Sequence, residues 1–358
     1  MSETNFFNRI EQFTEKKTPF VYYRKPGEEE VFALIQKDDS IHLCPDLSEN
    51  GFVFSPFEGK EKKIIFPFEH CERLKYNYHQ EGEDNQEVGD EKSYDLQNKF
   101  DKEKHIRLIE KGLEIIGKGE VSKVVLSRKE EVVFPGIKLS KIYKNLLNRY
   151  PDSFVYLWFH PELGLWMGAT PETLLKVKKG EFKTMALAGT RPFEGKVEVQ
   201  WNEKEREEQQ FVTDFILSKL DKDEVTYGKP YTRRAGSLLH ICTDIKGRIS
   251  KKNTIRNLVN ILHPTPAVCG VPKEKAFEFI IKNEDYNRTY YTGFLGVINN
   301  GSDEDADLYV NLRCMQIDLK EKNKAVIYVG GGITSGSIPQ KEWEETVDKS
   351  KVMKSVLF

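Results

Sequence analysis

The hydrophobic residues of the chain recur in two patterns, which predict helices and strands. Within His105–Gly117, isoleucine and leucine recur every three or four residues, which is typical of a helix with one buried face. Short runs rich in Val, Phe and Leu, bounded by Pro, Gly or charged residues, predict strands. The helices predicted by these patterns are His105–Gly117, Leu139–Arg149, Glu203–Leu220, Thr254–Ile261, Lys273–Lys282 and Gln340–Met353.

The predicted strands fall in runs between those helices. They are Phe20–Tyr23, Val31–Ile35, Lys123–Phe134, Phe154–Phe159, Leu165–Ala169, Phe182–Ala188, Phe294–Ile298, Leu308–Ile317 and Ala325–Val329. This order lacks the steady alternation of strand and helix that a doubly wound parallel sheet requires. We therefore expect the α+β class, with mainly antiparallel sheets.

A polar stretch divides the chain. Residues 81–95 contain seven acidic residues, two glycines and almost nothing apolar, which is typical of a solvated linker or surface loop. We expect residues 1–95 to be the N-terminal part of the fold, ending in this acidic loop. Residues 96–358 should hold the chemically active region, within one compact domain overall.

Charge and composition exclude several classes of protein. The chain has 55 Lys and Arg against 57 Asp and Glu, a net charge of −2, whereas a general nucleic-acid binder needs a basic surface. No apolar run approaches the roughly 18 residues of a membrane span, and the N-terminus has no apolar signal segment. The five scattered cysteines include no C-x-x-C pair and indicate reduced thiols. We expect a cytoplasmic protein.

Two predicted helices each contain a pair of glutamates three residues apart, which places each pair on one helix face. The pairs are Glu205 with Glu208 and Glu342 with Glu345. Facing helices could offer these carboxylates to Mg²⁺, which prefers oxygen ligands and keeps several waters. Because 31% of the residues are charged, a solvated helix face is the other interpretation, and spacing alone leaves both open.

Single charged residues stand beside or inside apolar runs at Lys123, Glu172 and Arg313. A buried charge costs several kcal/mol unless it is paired, so such residues tend to mark functional sites. An edge strand with its polar face in water is the alternative. The run Gly330–Gly332 likewise predicts either a backbone that approaches an anion closely or a plain tight turn.

Together and in this order, these segments resemble the chorismate-utilising enzymes, which include isochorismate, salicylate, anthranilate and aminodeoxychorismate synthases. The resemblance extends from about Ile106 to the C-terminus. It rests on Lys123–Arg128, Gly168–Glu172, Leu187–Thr190, Glu203–Gln210, Leu262–Pro272, Arg288–Gly293 and Gly330–Lys349. It implies one domain in which largely antiparallel sheets pack around a central cleft, with helices outside.

The chain is most similar to isochorismate synthase, and that resemblance implies roles for its residues. Lys123 would be the base that activates water to attack C2 of chorismate, and Glu172 the acid that protonates the departing C4 hydroxyl. Glu208 and Glu345 would hold Mg²⁺. The outer carboxylates Glu205 and Glu342 would orient its waters. The residues that would bind the substrate are Gly189, Thr190, His240, Tyr291, Arg313, Gly330 and Lys349.

Two positions discriminate within the family. Ala188 stands where covalent aminodeoxychorismate synthases have a lysine nucleophile, and water-using members keep the lysine at Lys123. We therefore expect an isochorismate synthase that feeds menaquinone or siderophore synthesis, acting on chorismate as a monomer without a glutaminase partner. A salicylate synthase is the alternative, followed by an anthranilate or aminodeoxychorismate synthase component. Gly331 departs from the usual Ala of the family's glycine-rich segment.

Overall fold

The computed structural model describes residues 2–58, 62–79, 95–220, 224–236, 238–250, 253–299, 305–320 and 323–358. Within them the helices are α1 (Glu3–Glu15), α2 (Asp95–Gly117), α3 (Leu139–Arg149), α4 (Glu203–Lys219), α5 (Ile255–Leu262), α6 (Lys273–Asn283) and α7 (Pro339–Lys354). The predicted helices are all present, and most of their ends shift by at most a few residues. The exception is the helix predicted over His105–Gly117, which begins ten residues earlier, at Asp95, because its first turns carry too few apolar residues to show the helical spacing. The acidic stretch lies almost wholly outside the described residues.

The described strands are numbered in chain order. They are β1 (Phe20–Arg24), β2 (Glu30–Gln36), β3 (His42–Leu43), β4 (Gly51–Ser55), β5 (Ile64–Pro67), β6 (Cys71–Asn77), β7 (Lys123–Val133), β8 (Phe154–His160), β9 (Gly164–Thr170), β10 (Thr173–Lys178), β11 (Glu181–Pro192), β12 (Val225–Tyr227), β13 (Tyr231–Ala235), β14 (Leu238–Arg248), β15 (Gly270–Val271), β16 (Phe294–Ile298), β17 (Ala306–Val310), β18 (Cys314–Asp318) and β19 (Lys324–Ile333).

These strands form two sheets, and each described strand pair is antiparallel, as the sequence predicts. Sheet A has the order β15-β7-β19-β18-β9-β8-β1-β2-β6. Sheet B has the order β12-β14-β11-β10-β17-β16-β4-β5-β3, with β13 also paired to β14. Strands from residues 20–77 enter both sheets.

The alternation of side chains along single strands explains how the layers stack. In β8, Val155 and Leu157 pack against helices α1, α3 and α7, whereas Tyr156 and Trp158 face sheet B. Both faces of this strand are buried, which is why its sequence is one continuous apolar run. A third core lies between sheet B and helices α4 and α5. The architecture is therefore helix, sheet, sheet, helix.

The structure divides one predicted strand and excludes one of the two interpretations of the glycine run. Leu308–Ile317 is not one strand, because the chain leaves sheet B at Val310 and enters sheet A at Cys314, with Arg313 in the left-handed region at φ 47°. The glycine run is not a turn either. Gly330, Gly331 and Gly332 lie inside β19 and pair with Ser127, Leu126 and Val125 of β7.

Candidate active site

A cleft with about 800 Å³ of free space, part of it open to solvent, lies between the two sheets. Nine of the residues that the sequence singles out line it: Glu172, Gly189, Thr190, Glu208, His240, Tyr291, Arg313, Gly330 and Lys349. The remaining four, Lys123, Glu205, Glu342 and Glu345, are not among the lining residues but contact them or their strands. The structure thus brings together side chains from strands that are far apart in sequence.

Two short crossovers between the sheets place Glu172 and Arg313. Pro171 and Glu172 join β9 of sheet A to β10 of sheet B, and Asn311–Arg313 join β17 back to β18. The crossovers are tied together, because the Val310 N–H donates to the Glu172 carbonyl at 3.0 Å and Thr170 Oγ1 donates to the Val310 carbonyl at 2.6 Å. Side chains at such crossovers point into the space between the sheets, here the cleft.

Glu172 is a carboxyl group in a site that favours its neutral form. Its side chain is buried, and this burial raises the pKa of Glu172 to about 8. The positive charges of Lys123, Arg313, Arg233 and Lys349 act in the opposite direction and do not overcome the burial. At neutral pH Glu172 therefore holds a proton that it can donate.

Lys123 is the first residue of β7, and it is fully buried. Its Nζ lies 3.0 Å from Glu208 Oε1, and the two form an ion pair. Burial alone would raise the pKa of Glu208, but the charges of Lys123, Lys204 and Lys349 lower it below its usual range. Glu208 therefore remains an anion that separates Lys123 from the open part of the cleft.

The glycines of β19 leave room for the carboxylates of two helices. A Cβ at Gly332 would lie 2.2 Å from Glu208 Oε1, and one at Gly331 would lie 3.8 Å from both Glu342 Oε2 and Glu345 Oε1. The backbone of β19 thus passes directly beneath three carboxylates from α4 and α7. A side chain at Gly332 would displace Glu208, whereas a methyl group at Gly331 fits.

Each of these three glutamates has its own lysine. Lys123 pairs with Glu208, Lys204 with Glu342, and Lys349 with Glu345 at 2.7 Å. Lys204 precedes Glu205 in α4, and sequence reasoning missed it, because a lysine at the start of a charged helix carries no distinguishing signal. These pairs keep a concentrated group of carboxylates close to electrical balance.

Glu205 has a different environment from the other three. Its Oε2 accepts from the Asn202 N–H at 3.0 Å in a capping box at the start of α4, and its Oε1 accepts from Arg191 Nε at 3.4 Å. Glu205 Cβ would lie 3.0 Å from a Cβ on Gly189, so the helix start packs against the cleft wall. In this structure both oxygens of Glu205 serve to fix α4.

The four glutamates fit a hard divalent cation such as Mg²⁺. Glu342 Oε2 is buried and has no hydrogen-bond partner among the described residues. Burial raises the pKa of Glu342, the charge of Lys204 lowers it, and the neighbouring Glu345 carboxylate raises it. No three of the four glutamates, all of them described, have ligand atoms within 4.8 Å of one another. One or two carboxylates with waters and an anionic substrate suit Mg²⁺.

His240 holds Arg313 in place. Arg313 Nη2 donates to His240 Nε2 at 2.6 Å, and His240 Nδ1 donates to the Gly189 carbonyl at 2.9 Å. Burial, with Arg313 adding to it, lowers the pKa of His240 well below its usual value, so the ring is neutral. Arg313 also donates to the Ala235 carbonyl at 2.8 Å, and the guanidinium is thereby fixed towards the cleft.

Tyr291 and Lys349 meet the glycine strand on the other wall. Tyr291 stacks on Tyr328 with ring centroids 5.5 Å apart, and a Cβ at Gly330 would lie 3.1 Å from the Tyr291 hydroxyl. Lys349 Nζ donates to the Gly330 carbonyl at 2.9 Å. The cleft therefore offers Arg313, Lys349 and the Tyr291 hydroxyl to an anionic ligand.

A buried ion pair supports this wall from behind, and sequence reasoning did not assign it. Glu284 Oε1 accepts from the Ser127 N–H and the Ser127 hydroxyl, both at 2.8 Å, and from Arg288 Nη2 at 2.5 Å. Arg288 Nη2 donates further to the Val125 carbonyl at 2.8 Å. The ion pair of Glu284 and Arg288 joins the loop before β16 to the part of β7 that follows Lys123. In the sequence, the pair is indicated by the spacing of four residues between the two side chains.

Comparison with known proteins agrees with this geometry. The family described as chorismate-binding enzymes matches residues 59–358. The isochorismate synthase MenF of Bacillus subtilis is 31% identical over 271 residues, covering 72% of this chain and 56% of that protein. Component 1 of the anthranilate synthase of Saccharolobus solfataricus is 28% identical over 284 residues, covering 76% of this chain and 66% of that protein. In three relatives of this kind, the segment matched by this chain covers between 55% and 66% of the relative's own length.

The fold is shared with a solved structure over nearly its full length. A crystal structure of a 2,3-dihydroxybenzoate-specific isochorismate synthase, DhbC, from Bacillus anthracis superposes with a TM-score of 0.78. The two sequences are 23% identical, and the superposition covers 97% of this chain and 99% of that one. In the part of the chain that the structure describes, no helix is long and apolar enough to cross a membrane.

Proposed function

The chain belongs to the chorismate-binding enzyme family, and on that premise we propose that it is an isochorismate synthase. The observation that supports this reaction best is the buried Glu172, whose raised pKa of about 8 keeps a proton available at neutral pH. Loss of a hydroxyl from a ring requires such a proton donor, because hydroxide is a poor leaving group. The reaction would add water at C2 of chorismate and remove the C4 hydroxyl as water.

The proton transfers balance between two residues. Lys123 takes a proton from the attacking water, and Glu172 gives one to the departing hydroxyl, so the product is an isomer of the substrate. The cleft has Arg313 on one wall and Lys349 on the other, and these two positive charges suit chorismate, which has two carboxylates. Arg313, fixed by His240, would bind the enolpyruvyl carboxylate together with the Tyr291 hydroxyl. Gly189 and Thr190 would line the ring side of the cleft.

Mg²⁺ would be held by Glu208 and Glu345, with Glu342 and Glu205 near its waters. When bound, it would supply positive charge for the ring carboxylate and offset the negative charge that Glu208 presents to Lys123. Lys349, beside Glu345, would contact the same carboxylate. Lys123 acts as a base only in its neutral form, and its Nζ lies 3.0 Å from Glu208 Oε1.

The choice among family members rests on two side chains. Ala188 lines the cleft where a nucleophilic lysine would form a covalent intermediate, so no such intermediate is expected here. Lys123 provides the base that a water-using member needs. Relatives named for both menaquinone and siderophore synthesis exist, and we propose that the product feeds one of these two pathways. We further propose a cytoplasmic monomer that needs no glutaminase chain.

The deciding experiment incubates the purified protein with chorismate and Mg²⁺ and separates the products by chromatography. Isochorismate alone, approaching an equilibrium mixture with chorismate, supports the proposal. Salicylate and pyruvate in equal amounts would replace it with a salicylate synthase, and anthranilate formed only with ammonia would replace it with an anthranilate synthase. Unchanged chorismate would refute an activity on this substrate. The variants Lys123→Ala and Glu172→Gln should fold and show no turnover.

A further inference from the structure

Three potential metal ligands cluster at the end of the sheets opposite the cleft. Asp38, His42 and His70 each place one ligand atom within 4.8 Å of the other two. His42 lies on β3, the edge strand of sheet B, whereas Asp38 follows β2 and His70 precedes β6, the two outermost strands at the corresponding edge of sheet A. The cluster therefore spans the edges of both sheets, and no residue of the cleft takes part in it.

The two imidazole rings lie close together, with centroids 4.8 Å apart and an interplanar angle of 32°. His42 Nε2 is buried and has no hydrogen-bond partner in the part of the chain that the structure describes. It lies 3.7 Å from Asp38 Oδ1, which is too far for a hydrogen bond. A tetrahedral ion with bonds of about 2.0–2.1 Å separates its ligands by roughly 3.3 Å, so small side-chain rotations would close the site.

The backbone around these ligands is already fixed. The buried Gln36 side chain donates from Nε2 to the carbonyls of Asp38 at 2.9 Å and Ser40 at 2.8 Å. The Lys37 N–H donates to the His70 carbonyl at 3.0 Å. Because these bonds hold both segments together without a metal, an ion would have little backbone to order, which favours binding.

We propose that Asp38, His42 and His70 bind a divalent transition metal ion, with Zn²⁺ as the best fit and water as the fourth ligand. Two imidazoles and one carboxylate are typical ligands of zinc and are not preferred by Mg²⁺ or Ca²⁺. The side chains of Asp38 and His70 are each 45% exposed, and His42 and His70 line an open groove with Glu49 and Glu69, so the ion has a path of entry. The bound ion would join the free edges of the two sheets.

The test is a calorimetric titration of the full chain with Zn²⁺ in excess Mg²⁺, which occupies oxygen-ligand sites in the cleft. We expect one Zn²⁺ per chain and at least a tenfold weaker affinity in His42→Gln and His70→Gln. His79→Gln is the matched control, since His79 is an exposed histidine near Glu29 and away from the cluster. Its affinity should equal that of the wild type.

Two results would overturn the proposal. One is the absence of Zn²⁺ binding in the wild type at 100-fold excess of metal over protein. The other is binding that survives in His42→Gln and disappears in Glu345→Gln, which would place the ion in the cleft. As a second measurement, Zn²⁺ should raise the melting temperature of the wild type and of His79→Gln but not of Asp38→Asn. Neither measurement depends on activity towards chorismate.

Discussion

Arg313 donates to His240 Nε2 at 2.6 Å, while the other ring nitrogen of His240 donates to the Gly189 carbonyl. The neutral ring thus fixes the direction of a guanidinium that itself keeps its charge. We expect His240→Ala to raise the KM for chorismate at least tenfold and to change kcat much less, because a hydrogen bond to a charged group contributes about 1.5–3 kcal/mol. Steady-state kinetics measure this split.

The control for His240 is Arg313→Ala, which removes the charge as well as its orientation. It should lose more of kcat/KM than His240→Ala does. A His240→Ala enzyme with the KM of the wild type would contradict a positioning role for the histidine.

The pH dependence of activity should follow the proton on Glu172. The pKa of Glu172 is raised to about 8, so the acid form required for catalysis is present below that pH and is lost above it. We expect kcat/KM to fall as the pH rises above about 8, by tenfold for each further pH unit. A profile measured from pH 6 to 9.5 tests this, and a flat profile above pH 8 would exclude Glu172 as the proton donor.

Adjacent glycines of β19 should differ sharply in their tolerance of a methyl group. In Gly332→Ala the new Cβ would lie 2.2 Å from Glu208 Oε1 and 3.0 Å from Lys123 Cε, so the ion pair of Lys123 and Glu208 must move. We expect a loss of at least 100-fold in kcat/KM. In Gly331→Ala the nearest atoms are at 3.8 Å, and activity should stay within threefold of the wild type.

The two glycine variants should have similar melting temperatures, since both positions keep the same strand pairing. Equal activity of Gly331→Ala and Gly332→Ala would show that the position of Glu208 does not matter to the reaction.

Mg²⁺ binding should depend on the glutamates that face β19. We expect EDTA to abolish activity and added Mg²⁺ to restore it. In Glu345→Gln the calorimetric affinity for Mg²⁺ should fall at least tenfold, because one anionic oxygen ligand is lost. Glu344→Gln is the matched control, since Glu344 is exposed and its Oε1 accepts from Gln340 Nε2 on the surface of α7. Activity that resists chelation would remove the metal from the mechanism.

The buried ion pair of Glu284 and Arg288 should contribute to the stability of the fold. Glu284→Gln leaves Arg288 without its charge partner in a site where both side chains are at most 2% exposed. Breaking a buried pair costs about 3–5 kcal/mol, and urea unfolding should show a loss of that size in the free energy of unfolding. The neighbouring surface pair of Asp285 and Lys104 provides the control, because Asp285→Asn should cost at most about 1 kcal/mol.

The local parts of the structure could be predicted because they depend on neighbours in sequence. The helix over Glu203–Leu220 follows from the local sequence pattern, and the antiparallel class follows from the order of predicted strands and helices. The structure confirms both. The embedded charge of Lys123 indicated a site, and the structure shows it fully buried with a partner. The family resemblance then added the remaining cleft residues.

Other features of the fold and the site depend on contacts between residues that are far apart in sequence, and local sequence patterns do not predict such contacts. Arg313 looked like a residue within a strand, but its left-handed backbone moves the chain from one sheet to the other. The sequence left open whether the glycine run forms a turn, because its need for glycine comes from carboxylates of α4 and α7, which are distant in sequence. The pairing of Lys204 with Glu342, 138 residues apart, is of the same kind.

Helix α7 supplies Glu342, Glu345 and Lys349 to the site, while its end packs Val352 and Met353 into the same core as Phe6 of α1. During synthesis, Lys123 therefore emerges long before the residues that α7 contributes to the cleft. The site is incomplete until α7 packs against β19, so its assembly couples the cleft to a long-range step of folding.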